Sequence, residues 1–331
     1  MIAEAEGLVR TGHARAHPSL AIAKYWGKQR NGINIAATPS VAVTLEAMTA
    51  ETTVRVYRDR RGDAPPDRIV LDDVPQEARR FRPFFDAVRA DLPDSESLWF
   101  EVESRNDFPT AAGLASSAAG FAALAAASCV ALTGAFDAER VSRLARIGSG
   151  SACRSVYGGF TRWDAGSLSA VQLHPEEWWP DLRVVVLPVT TAAKPLSSRE
   201  AMNRTRDTSP YYFAWTKDAP DLAREVEESI RHRDLQRLGE ASRTSYLRMF
   251  ATMISATPPV LYWRPESVEI IRALEELRAQ GVPAWETMDA GPQVKVFTDR
   301  DNAQLLVETF RDILAVPAII SAVGPGATVD R

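Results

Sequence analysis

Four short segments carry residue types that could do chemistry. Pro109–Gly120 (PTAAGLASSAAG) sets a serine pair among glycines and alanines where a helix would begin. Small residues let a backbone approach a ligand, Ser116 and Ser117 offer hydroxyls, and free amides at a helix N-terminus favour a phosphate. No Walker-type lysine accompanies them, and the same small residues would equally serve tight helix packing. Ala21–Lys28 (AIAKYWGK) places Lys24 and Lys28 around Tyr25, Trp26 and a glycine, a spacing that also suits a solvated helix face. Gly148–Ser155 (GSGSACRS) adds Ser149, Ser151 and Arg154, whose planar fork suits a phosphate or carboxylate bidentately. A ligand-free loop has the same composition. Thr287–Gln293 (TMDAGPQ) sets Asp289 before a Gly-Pro turn, a place that turn chemistry alone also explains.

These segments need elements to hold them. Leu98–Glu103 reads as a strand leading into the serine segment, and the apolar stretch Ala111–Leu132 reads as a buried Ala-rich helix, too weakly hydrophobic for a membrane span. Upstream, Ala42–Tyr57 followed by a polar turn cluster suggests a strand and hairpin, with a second strand at Ile69–Leu71 and a helix over Glu77–Ala90. Asp137–Ile147 reads as a short amphipathic helix and Gly158–Trp163 as a strand. Leu182–Val189 is a continuous apolar run of strand length, and the polar tract TTAAKPLSSRE after it reads as a loop at a domain junction. Helical spacing then covers Leu222–Arg231, Leu235–Ala256 and Pro265–Gln280, with strands at Gln293–Thr298 and Ala318–Val323. The expected whole is an α+β chain of two unequal lobes, 1–188 and 189–331.

Composition narrows the partners. The chain has 331 residues, 25% charged and 45% hydrophobic, which suits a globular protein of one large or two medium domains. A net charge of −4 offers no basic field for nucleic acid. Cys129 and Cys153 show no metal spacing, and His13, His17, His174 and His232 are scattered, so no fixed metal site is expected. The N-terminal MIAEAEGLVRTGHARAH has no hydrophobic run of a secretion signal. A reduced, cytoplasmic setting with no membrane partner is the expectation.

In order along the chain, KYWGK, PTAAGLASSAAGFAAL, GSGSACRS with the following YGGF, Ser198–Met202 (SREAM) and DAGP resemble the diphosphomevalonate decarboxylases of the GHMP kinase superfamily. That resemblance implies a two-lobed GHMP kinase fold with a ribosomal-S5-like N-terminal lobe, a ferredoxin-like C-terminal lobe and a site between them. It implies use of ATP and Mg²⁺, phosphorylation of the 3-hydroxyl of a phosphorylated mevalonate, loss of phosphate and CO₂, and a homodimer. By the same resemblance, Asp289, Lys24 and Arg154 are catalytic. Ser19, Tyr25, Lys28, Ser149, Ser151, Ser198 and Met202 surround the substrate. Asn106, Gly113, Ala115, Ser116 and Ser117 face the nucleotide.

Three positions depart from the family's pattern and bear on substrate rather than on ATP. Ser19-Leu-Ala stands where Asn-Ile-Ala is usual, Gln293 stands where Asn follows DAGP, and Ala37–Ser40 (ATPS) replaces a loop with paired Asn and Ser. A decarboxylase of mevalonate 5-phosphate, a 3-hydroxy-acid kinase without decarboxylation, and a catalytically silent binding protein on the same fold therefore remain alternatives at this point.

Overall fold

The computed structural model describes residues 7–30, 33–58, 66–91, 97–108, 116–192 and 196–330. The chain opens with β1 (Leu8–Ala16) and β2 (Ser19–Ala23), then β3 (Ser40–Thr44), β4 (Ala50–Arg58), β5 (Arg68–Leu71) and β6 (Val74–Gln76). Helix α1 (Arg82–Ala90) follows, then β7 (Leu98–Asn106), α2 (Ser116–Thr133), α3 (Ala138–Gly148), β8 (Phe160–Trp163) and β9 (Val171–His174). The second half holds β10 (Leu182–Leu187), α4 (Ser198–Thr208), α5 (Tyr212–His232), α6 (Leu235–Ile254) and α7 (Pro265–Ala279). It closes with β11 (Trp285–Met288), β12 (Val294–Asp299), α8 (Ala303–Phe310), β13 (Ile319–Ser321) and β14 (Thr328–Val329).

The N-terminal lobe carries two sheets, β14-β1-β4-β7-β5-β6 and β2-β3-β8-β9. Its central helix, α2, packs across β1 and β4 and against α3. By length and composition α2 could cross a membrane, yet 61% of it is buried inside the protein, as the sequence reading of a core helix expected. Close packing is possible because Gly12 of β1 has no side chain: a Cβ there would sit 2.1 Å from the Ala127 carbonyl oxygen. The C-terminal lobe is one antiparallel sheet, β11-β12-β10-β13, in which the first strand in sequence lies third, the order of a ferredoxin-like fold.

Strand β10 shows why Leu182–Val189 reads as an unbroken apolar run. Val184 and Val186 enter one core cluster and Val185 and Leu187 the other, so both of its faces are buried. This strand belongs to the C-terminal sheet, which places the lobe junction before it, and residues 328–329 return to pair with β1 in the N-terminal sheet. A cut at 188/189 divides neither sheet cleanly.

Other expectations are corrected. Ala42–Tyr57 is not one strand of a hairpin: β3 pairs with β2 and β8, whereas β4 lies between β1 and β7 in the other sheet. The next strand, β5, pairs with β7 in parallel. Helix α4 begins inside the tract read as a loop, because Ser197 and Glu200 form a reciprocal capping box, a signal present in the SSRE wording. Helix α5 starts already at Tyr212 and runs through Pro220, the residue that hid its first half from a pattern-based reading.

One buried network ties the C-terminal lobe together. The Glu286 carboxylate on β11 is fully buried and accepts hydrogen bonds from Arg243 Nε (2.5 Å), Tyr246 Oη (3.0 Å) and Arg278 Nη1 (2.6 Å). Replacing Glu286 by Ala leaves two arginines and a tyrosine without their shared acceptor. The expected loss in urea denaturation is about 3 kcal/mol, at the lower end for a broken buried pair because Arg243 reaches solvent. A loss under about 1 kcal/mol would mean that the network does not stabilise the lobe.

Candidate active site

A cavity of about 450 Å³ lies between the lobes. It is lined by residues of all four sequence segments: Lys24, Tyr25 and Lys28 from the segment after β2, Ser117 from α2, Ser149, Ser151 and Arg154 from the 3₁₀ turn after α3, and Asp289 beyond β11. Ser19, Ser198 and Met202 line it too. Sequence reasoning had not singled out Arg80, Asn34 or Arg199; Arg199 stands inside the quoted SREAM stretch, next to the capping box. Five basic side chains and one carboxylate face the cavity among the described residues, which suits a polyanion.

At the centre, Lys24 Nζ donates to Asp289 Oδ1 at 3.0 Å and to the Ala21 carbonyl at 2.7 Å. Lys295 Nζ approaches the other oxygen, Oδ2, at 3.4 Å. The Lys24 side chain is 1% exposed and that of Asp289 27%, so the carboxylate is the member of the pair open to a ligand. Burial pushes the Lys24 ammonium down to about 8; Asp289 opposes this shift, and Lys295 and Arg154 add to it. Arg154 is buried, donates through Nη1 to Ser40 Oγ, and its Nε has no hydrogen-bond partner among the described residues.

Toward one end, Lys28 Nζ donates to Asn34 Oδ1 at 2.6 Å, and burial together with the nearby Arg199 lowers it to about 8. The buried Tyr25 hydroxyl is unpartnered among the described residues, and burial raises its pKa. Ser117, Ser149 and Ser151 form a hydroxyl chain with Oγ–Oγ distances of 3.3 and 3.4 Å. It connects the start of α2, where a helix dipole presents its positive end, to the third segment.

Local structure explains the placement. Trp26 is buried, its indole donates to Thr205 Oγ1 of α4, and its carbonyl accepts from the Trp215 indole of α5. Gly27 has φ +115°, and a Cβ there would meet the Tyr212 hydroxyl at 2.1 Å, so the glycine of KYWGK is a steric requirement. Helix α6 clamps both halves of the central pair. Ser245 Oγ accepts from the Lys24 amide at 2.9 Å, and Ser242 Oγ donates to Thr287 Oγ1, two residues before Asp289.

The three departures behave differently. Ser19 is on the cavity wall, where its hydroxyl accepts from Ser155 Oγ at 3.1 Å. Ser40 begins β3 and holds Arg154 in place. Gln293 is not among the lining residues; its amide accepts from the Val189 amide at 2.7 Å and donates to the Thr190 carbonyl at 2.6 Å. It fastens the DAGP turn to the end of β10. Asn106 is likewise absent from the lining: its amide nitrogens bond Asp72 from the end of β7. Ser116 opens α2, while Gly113 and Ala115 lie outside the described residues.

Family models and solved structures match nearly the whole chain. Residues 16–172 match the diphosphomevalonate decarboxylase-like N-terminal domain, and residues 184–326 match the mevalonate 5-diphosphate decarboxylase C-terminal domain. Diphosphomevalonate decarboxylase of Bos taurus is 35% identical over 88% of this chain and 78% of its own length. That of Candida albicans is 32% identical over 95% and 92%. Among solved structures, mevalonate diphosphate decarboxylase from Staphylococcus aureus covers 97% of this chain and 98% of its own at 35% identity, with a TM-score of 0.90. A complex of the protein called MDDEF with MVAPP, AMPPCP and magnesium covers 97% and 99% at 36% identity, with a TM-score of 0.89.

Proposed function

Because the chain belongs to the diphosphomevalonate decarboxylase family and has its two-lobed GHMP kinase fold, we propose that it converts mevalonate 5-diphosphate and ATP to isopentenyl diphosphate, ADP, phosphate and CO₂. The single observation that carries this reading is the meeting of the Lys24–Asp289 pair and Arg154 in one cavity with the start of α2.

Each residue has a task in that cavity. Asp289, the open carboxylate, orients the 3-hydroxyl and takes its proton as the oxygen attacks the γ-phosphorus of ATP. Phosphorylation turns a poor leaving group into a good one. Arg154 holds the substrate carboxylate with the guanidinium edge that Ser40 leaves open, and Lys24 balances the charge that develops on the departing phosphate. Tyr25, Lys28, Ser149, Ser151, Ser198 and Arg199 bind the distal diphosphate, and Ser19 and Met202 shape the wall beside it. Ser116, Ser117 and the helix start receive the nucleotide phosphates.

The donor set fits magnesium carried on the nucleotide. No three His, Cys, Asp or Glu side chains converge among the described residues, while Asp289 and the serine hydroxyls supply hard oxygen donors in the cavity. Bound there, the ion would neutralise triphosphate charge. A cytoplasmic homodimer belongs to the same proposal, and the exposed Tyr211, Phe213 and Leu261 are apolar surface that a second copy would cover.

The test is to incubate the protein with Mg²⁺, ATP and, separately, mevalonate, its 5-phosphate and its 5-diphosphate, measuring ADP and CO₂ together. ADP with CO₂, best with the diphosphate, is the expected result. ADP alone would make the protein a kinase. Neither product would leave a binding protein.

The lowered lysines predict a pH profile. Both Lys24 and Lys28 lose their protons as pH rises through about 8, and each loss removes a positive charge from a site that binds an anion. The value of kcat/KM for the diphosphate substrate should therefore fall above about pH 8. Bound substrate stabilises the ammonium forms, so the corresponding limb in kcat lies at higher pH. A flat kcat/KM from about pH 7 to about pH 10 would remove both lysines from anion binding.

A further inference from the structure

Lys295 belongs to none of the motifs and does not line the cavity, yet it is buried, 3% exposed, on the middle strand pair of the C-terminal sheet. Side chains alternate along β12. Val294 and Val296 enter the C-terminal core cluster and Phe297 the other one, so Lys295 shares the Phe297 face. From there its ammonium meets Asp289 Oδ2 at 3.4 Å as an ion pair, with no hydrogen-bond partner for Nζ among the described residues.

Stability does not account for a lysine at this place. A buried ammonium held by one loosely aligned carboxylate loses more hydration than the pair returns, and an apolar side chain of the same length would fold at least as well. What the placement does supply is a division of labour. Lys24, from the N-terminal lobe, holds Oδ1 on the cavity side, and Lys295, from the C-terminal lobe, holds Oδ2 from behind.

We propose that Lys295 is a positioning residue for the reaction: it anchors Asp289 by Oδ2, so that Oδ1 can pass from Lys24 to the substrate hydroxyl without the carboxylate turning away. The inference rests on the role given to Asp289 above. When an anionic substrate enters, Lys24 is drawn toward the new negative charge and pulls on Oδ1, and a carboxylate that lacks the Lys295 contact at Oδ2 follows it more readily. Lys295 lies behind the carboxylate and outside the cavity lining, so substrate leaves its grip intact. It contacts neither substrate nor nucleotide. Its removal should therefore affect turnover far more than binding.

The experiment uses the full chain with Lys295→Met, which keeps length and removes charge, and Lys295→Arg, which keeps charge. With Mg²⁺-ATP and mevalonate 5-diphosphate, Lys295→Met should lower kcat about tenfold or more with both KM values within about threefold. Its melting temperature should equal or exceed that of the wild type, and Lys295→Arg should restore most of kcat. A folded Lys295→Met with kcat within about twofold of wild type overturns the proposal, as does a loss that moves kcat and both KM values together with a lower melting temperature. If the Met variant does not fold, Lys295→Gln is read by the same criteria. A crystal structure of the folded variant with mevalonate 5-diphosphate bound and no nucleotide gives a readout independent of turnover: relative to the same complex of the wild type, Asp289 should be displaced with Lys24 toward the substrate or occupy a second rotamer, and an unmoved carboxylate would also overturn the proposal. An inactive wild type would sink the decarboxylase reading alone, and the crystal structure would still decide for Lys295.

Discussion

Asp289→Asn should lower kcat by about 10³-fold while nucleotide affinity stays within about threefold. The amide has nearly the shape of the carboxylate, so the cavity wall and the turn before Gly291 remain. Two things are lost. Asn cannot accept the hydroxyl proton, and it leaves the buried ammonium of Lys24, with Lys295 behind it, facing a neutral group. Without its countercharge Lys24 becomes easier to deprotonate, because the remaining influences named above, burial, Lys295 and Arg154, all lower its pKa. The alkaline limb of any residual kcat/KM should therefore move to lower pH than in the wild type. Steady-state ADP release and a fluorescent-nucleotide titration measure the two expectations separately. Turnover within tenfold of wild type would take Asp289 out of the mechanism.

Arg154→Lys should reduce kcat/KM for the phosphorylated mevalonate about 100-fold and change nucleotide KM little. Arg154 serves two partners at once: Nη1 is committed to Ser40 Oγ, while the buried Nε has no partner among the described residues and is available to a ligand. A lysine presents one compact charge on a flexible stem. It can keep Ser40 or meet the substrate carboxylate, but it lacks the planar fork that does both. The substitution keeps the formal charge, so its cost isolates geometry from electrostatics. Unchanged kcat/KM would assign Arg154 to the fold, as a buried strut between the turn after α3 and β3. A loss confined to the nucleotide would place the ATP phosphates, not the substrate carboxylate, against this guanidinium.

Much of this was legible before any coordinates because the motifs are contiguous. KYWGK, ASSAAG, GSGSACRS and DAGP each need small residues where backbone comes close and polar ones where a ligand sits, and those demands are met within a few residues of chain. The long helices and the doubly buried β10 were legible for a related reason: their hydrophobic period is local. The Val184–Leu187 run advertised a strand with two covered faces. The misreadings came where partners are distant. Nothing within Ala42–Tyr57 says that β3 and β4 leave for different sheets, and nothing near Gln293 says that its amide bonds residues 189–190 rather than the cavity.

By itself, then, the amino-acid order determined which side chains are available for phosphate, carboxylate and proton handling, and the two-lobed class that carries them. Tertiary structure alone decided how they meet. Lys24 and Asp289 are far apart in sequence yet 3.0 Å apart in space, Arg199 and Arg80 reach the same cavity from helical turns of different lobes, and Lys295 closes behind the carboxylate from a strand interior. Local preferences act over a turn of helix or a strand pair, whereas the charge felt at Asp289 depends on groups brought close by the packing of two lobes, where burial removes the water that would otherwise screen them.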